Sequence, residues 1–150
     1  MKKTQKKLGN KGFSLVELIV VIAIMAVLVG VLAPTLIKNI EKSRESKDAQ
    51  NIEQIKSSVE IALQNETAYA HNVPTGDTPK TLVTIDSSTN ATDVVIATDA
   101  GTDFTTEFNG QINTDKTKLT SKKYKALTIT ITVDKKGQVD VTETPKTTTP

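Results

Sequence analysis

The chain contains no cysteine and no tryptophan. The first absence excludes disulfide staples, thiol nucleophiles and cysteine-ligated metal, although it does not exclude export from the cell. Aromatic residues make up only 3% of the sequence, so the core must be aliphatic, and stacking platforms for sugars or bases are not expected. Histidine occurs once, at His71, and no nucleophile–base pair is recognisable around it. With 150 residues there is room for one domain, and setting aside a membrane segment leaves about a hundred residues to build its core.

The net charge of +2 hides an asymmetry: residues 1–12 carry Lys2, Lys3, Lys6, Lys7 and Lys11 and no acid. A basic balance set by one short segment is no argument for a nucleic-acid partner, and none is expected. Residues 18–33 then form sixteen consecutive positions without a polar side chain, nearly a bilayer span. The lysines before it keep the leader cytoplasmic and send the remainder outward.

A conventional secretory signal also begins with lysines and an apolar stretch, and residues 31–33 meet its small-residue rule. Pro34, directly after Ala33, opposes cleavage there. A plain single-pass anchor is opposed by Glu17, because a carboxylate at the bilayer centre costs about 2.5–3.5 kcal/mol and calls for a partner. No basic residue lies within the following twenty positions. The partner is therefore expected from the chain terminus or from another subunit.

Gly12-Phe13-Ser14-Leu15-Val16-Glu17, preceded by the lysine-rich leader and followed by the apolar run, resembles the class III signal of type IV prepilins. The small residue before the cut, Phe after it, Glu five residues into the mature chain and Pro34 twenty-two residues into it recur in type IVa pilins. The resemblance spans about residues 7–43 and says nothing direct about the C-terminal domain. It implies cleavage between Gly12 and Phe13 by a membrane prepilin peptidase, N-methylation of Phe13, and a contact in the filament between Glu17 and the Phe13 amine of a neighbouring subunit. Gly12 suits the cut because it has no Cβ to obstruct the peptidase. Pro34 removes a donor and presses on the carbonyl of Gly30, so a kink or assembly-linked melting is expected there.

The resemblance also implies partners: a membrane before assembly, a homo-oligomeric helical filament after it, and an assembly ATPase with a membrane platform protein. The chain has no phosphate-binding loop of its own. The precursor is expected in the cell membrane as a single pass and the product at the cell surface as a pilus. A major pilin for adhesion, aggregation or surface motility is the leading expectation, and a pseudopilin of a secretion or DNA-uptake system the alternative. Neither catalysis nor a cofactor is expected.

Downstream, Ile37, Ile40, Ala49, Ile52, Ile55, Val59, Ala62 and Leu63 recur at helical steps, with neither Gly nor Pro between Pro34 and Val73. An uninterrupted helix to about Gln64 is predicted, then a loop over 72–80 marked by Pro74, Gly76 and Pro79. Strands are predicted at 81–85, 93–97, 104–108 and 126–133, the last alternating Leu127, Ile129, Ile131 and Val133 with Thr128, Thr130 and Thr132. A turn at 134–137 leads to a partner strand at 138–142. The expected architecture is α+β, a long N-terminal helix on a small antiparallel sheet: leader 1–12, apolar helix 13–37, amphipathic helix 38–65, β domain 66–143 and tail 144–150. The cysteine pair of many Gram-negative pilins is missing, so packing must hold the C-terminal region.

Weaker candidates remain. His71 reads as a helix-end residue, and Asp99 to Asp103 as a polar turn rather than a calcium loop, for want of alternating ligands. Asn65-Glu66-Thr67 and Asn90-Ala91-Thr92 match the glycosylation triplet, which is frequent by chance. Lys116, Lys118, Lys122, Lys123 and Lys125 read as a solvated edge diluted by Asp115 and threonines.

Overall fold

The computed structural model describes residues 12–86, 93–113 and 117–146. Its elements run α1 (Leu15–Ala62), α2 (Glu66–Asn72), β1 (Lys80–Asp86), β2 (Asp93–Ile96), α3 (Thr102–Gln111), α4 (Lys122–Lys125), β3 (Leu127–Val133) and β4 (Val139–Pro145). The chain forms two compact units, Met1–Asn39 and Ile40–Pro150. The architecture is α+β: a long N-terminal helix, apolar then amphipathic, packed against a small antiparallel sheet.

In the first unit the described chain is the apolar half of α1. Its β-branched residues are indifferent helix formers in water. In an apolar medium every backbone N–H and C=O must be satisfied within the segment, and the helix does this except at the Gly30 carbonyl, for which Pro34 has no N–H to donate. Pro34 lies inside α1, which remains helical on both sides of it.

In the second unit α1 buries Asp48, Ile52, Ile55, Ser58, Val59 and Ala62, a stripe at three- and four-residue steps. The stripe meets Leu82, Val83 and Ile85 of β1 and Ile129, Ile131 and Val133 of β3 in one apolar cluster. Each fully buried Ile or Leu contributes about 1.5–3 kcal/mol through area removed from water.

The sheet order is β2-β1-β3-β4, antiparallel throughout, with an irregularity in β1 between Thr81 and Val83. The alternation along β3 resolves as predicted: Ile129, Ile131 and Val133 are fully buried, while Thr128, Thr130 and Thr132 on the other face are half-buried. The turn to β4 is built by Asp134, whose Oδ1 accepts the N–H groups of Lys136 and Gln138, each at 2.8 Å. Gly137 follows at φ +78°, where the Tyr69 ring occupies the space a Cβ would need.

Several elements depart from the sequence-based expectation. The helix breaks at residues 63–65, because Asn65 Oδ1 accepts the N–H groups of Thr67 and Ala68 and starts α2 anew. Residues 104–108 are not a strand but part of α3. Phe104 and Phe108, four apart, lie on one helical face, both fully buried, with ring centroids 5.9 Å apart. The short helix α4 has no counterpart among the predicted elements. β4 runs to Pro145, so Thr144 and Pro145 pair with Thr128 and Leu127 rather than opening the tail.

α4 is held by α1. Asp48 is fully buried, and its Oδ2 accepts the N–H of Ser121 at 2.7 Å and of Thr120 at 2.9 Å; Oδ1 shares the Thr120 N–H at 2.9 Å. Glu41 Oε1 accepts the N–H of Lys122. Ser121 then caps α4 by accepting the Tyr124 N–H at 3.3 Å. Among the described residues no buried side-chain polar atom lacks a partner.

Candidate processing and assembly site

The first described residues, Gly12, Phe13 and Ser14, precede α1 without regular structure. Phe13 is 89% exposed, and no heavy atom lies within 4 Å of the place a Gly12 Cβ would take. The Gly12–Phe13 peptide bond is thus open to an approaching enzyme.

Ser14 stands at the N-cap of α1 and Glu17 three residues later. The Ser14 N–H donates to Glu17 Oε2 at 2.8 Å, and the Leu18 N–H donates to the Ser14 carbonyl at 3.2 Å. This is the glutamate half of a capping box, and it sets a carboxylate over the positive end of the helix dipole. From sequence, a charged partner for Glu17 is expected from the chain terminus or from another subunit; within the chain the carboxylate also accepts the Ser14 N–H, a contact that the Ser-x-x-Glu spacing could have signalled.

Behind this cap, Leu15, Val16, Leu18, Ile19 and every large aliphatic residue on to Ile37 are exposed. This part of α1 is long and apolar enough to cross a bilayer, and none of its most apolar window is buried. Gly30 meets no neighbouring side chain, leaving one side of the helix open opposite the missing Pro34 donor.

The other candidates belong to the second unit. His71, near the C-terminal end of α2, places Nε2 3.0 Å from the Asp99 carbonyl oxygen. Asp99 pairs with Lys80 at 3.5 Å, whereas Asp103 Oδ2 accepts the Thr67 hydroxyl at 2.7 Å, so the two carboxylates face different partners. Among the described residues no group of three or more His, Asp or Glu could hold a metal ion. Asn65 is committed to capping α2, while Asn90-Ala91-Thr92, Asp115 and Lys116 lie outside the described residues.

Residues 7–33 match the family model described as the prokaryotic N-terminal methylation motif. No curated protein and no solved structure matches the chain. The matched segment contains Gly12, Phe13, Ser14 and Glu17 and extends over most of the apolar part of α1. The motif, the exposed apolar helix behind it and the small antiparallel sheet together support a type IV pilin-like family, with a membrane-anchored precursor and a role as pilin or pseudopilin.

Proposed function

We propose that the chain is the precursor of a major type IV pilus subunit. A prepilin peptidase removes residues 1–12 at the Gly12–Phe13 bond, the new Phe13 amine is methylated, and the mature chain polymerises through the apolar part of α1 into a surface filament for adhesion, aggregation or motility. Assembly requires an ATPase and a membrane platform supplied by other proteins.

The observation that carries this reading is a cap-bound carboxylate, Glu17, at the head of a helix whose apolar side chains are bare. A helix with that surface needs lipid or copies of itself, and the two are alternatives for one surface. In lipid, Glu17 is stabilised by the Ser14 N–H. In a filament it gains the Phe13 amine of the next subunit, a pairing that fixes register more than it adds strength. Between Gly30 and Pro34 the missing backbone bond lowers the cost of local unwinding when subunits pack.

The deciding experiment is intact mass and N-terminal sequencing of protein sheared from the cell surface. A sedimenting fibre whose chains begin at methylated Phe13 supports the proposal. Chains that keep residues 1–12, or start at Pro34, overturn it, and short periplasm-bound pieces in place of long fibres assign the chain to the pseudopilins.

A further inference from the structure

Charge in the second unit is sorted along the chain. Residues 81–115 hold six acids and no Lys, Arg or His, and the next ten residues, 116–125, hold five lysines and no acid. The described part of the lysine block lies beside α1, where the Ser121 N–H donates to Asp48 and the Lys122 N–H to Glu41, whereas Asp103, in the first turn of α3, accepts the Thr67 hydroxyl of α2.

Two acids of α1 beside the lysines are already engaged by backbone. Asp48 is taken by the N–H groups of Thr120 and Ser121, and Glu41 by Lys122 N–H and by Arg44 at 3.7 Å. Lys118, Lys122 and Lys123 are exposed, and none makes an ion pair among the described residues; Lys123 Nζ lies 4.8 Å from the Tyr124 ring centroid. On α3, Asp103 is exposed and Glu107, one turn on, is half-buried; neither pairs with a cation among the described residues.

We propose that the lysine face of α4 docks on the Asp103–Glu107 face of α3 in a second copy of this chain. The two faces carry opposite charge and, among the described residues, form no ion pair with each other within one molecule. Repeated head to tail, as a filament requires, each copy offers its basic patch to one neighbour and its acidic patch to the next, so the contact propagates along the array. The inference rests on the filament reading and adds to it, since the contact lies outside the apolar helix and sets how neighbouring second units are rotated. Paired exposed charges give orientation and salt sensitivity more than tight binding.

The test uses full chains in cells that assemble them, comparing three variants: Lys122→Glu with Lys123→Glu, Asp103→Lys with Glu107→Lys, and all four together. Each reversal is expected to lower the yield of sheared fibre by about tenfold, and the fourfold variant to restore most of it, because like charges then become opposite again. Leader removal stays complete in all three, and circular dichroism of the detergent-solubilised chains reports whether each is folded. Unchanged yield in folded single-patch variants overturns the contact, as does a folded fourfold variant no better than its parents. Unchanged fibres that lose retention on added polyphosphate assign the lysines to a foreign polyanion instead. Absence of fibres from the unvaried chain overturns the filament reading itself.

Discussion

Asp48 receives the Ser121 N–H at 2.7 Å across 73 residues of sequence, and the carboxylate is fully buried where it does so. A charge in the apolar stripe of an amphipathic helix is costly unless hydrogen bonds replace its water. Here the replacement comes from backbone donors at the start of α4, which need an acceptor themselves.

Asp48→Ala should therefore destabilise the second unit by about 2–4 kcal/mol, since the Thr120 and Ser121 donors lose their acceptor. Denaturant unfolding of the detergent-solubilised chain measures the loss, and amide exchange at residues 120–122 should quicken first. Exchange that accelerates elsewhere and not there would contradict the assignment.

On the proposed reading Glu17 adds a role in assembly to the contact it makes with the Ser14 N–H. Glu17→Gln keeps an oxygen for the Ser14 N–H but removes the charge, whereas Glu17→Ala removes both. Both variants should be inserted and cut at Gly12–Phe13 while forming no fibres, because assembly needs the charge. Fibres from Glu17→Gln but not Glu17→Ala would instead make capping the essential role, and normal fibres from both would remove Glu17 from assembly.

Gly137 should resist substitution for two reasons. Gly137→Ala places a Cβ at positive φ, costing about 1–2 kcal/mol, and within 2.8 Å of the Tyr69 ring. In a double-mutant cycle with Tyr69→Ala the steric part should vanish and the backbone part remain, so the two substitutions are non-additive. Strict additivity of the measured stabilities would mean that the ring does not press on the turn.

Phe104→Ala and Phe108→Ala should each cost about 3–5 kcal/mol, as expected for large side chains removed from a closed core. Val95→Ala on the exposed face of β2 should change stability by no more than about 0.5 kcal/mol. Thermal unfolding of the three variants side by side gives the ordering, and a Phe108 effect as small as that of Val95 would place α3 wrongly.

Much of the fold was legible because periodicity carries it. The stripe from Ile52 to Leu63 could only be a helix with one buried face, and the alternation in β3 could only be a half-buried strand. Residues 104–108 misled because Phe-Thr-Thr-Glu-Phe offers two aromatics and two threonines, all good strand formers, and the four-residue spacing of the two Phe marks a helix only once both are seen to face one core. The break at residues 63–65 was hidden for another reason: no Gly or Pro marks it, and Asn65 ends one helix and caps the next through its side chain alone.

The sequence by itself determined the methylation motif and the apolar helix behind it, because motif spacing, bilayer length and backbone donors depend on local order alone. Only the tertiary structure decided what Asp48, Glu41 and the lysines of residues 118–125 do. In sequence Glu41 and Asp48 lie in one charged stretch and the lysines in another, read as a solvated edge. Once the chain folds, both acids are turned toward backbone amides more than seventy residues away, and Lys118, Lys122 and Lys123 make no ion pair with them. Which charges neutralise one another is a question of distance in space, and spacing along the chain cannot answer it.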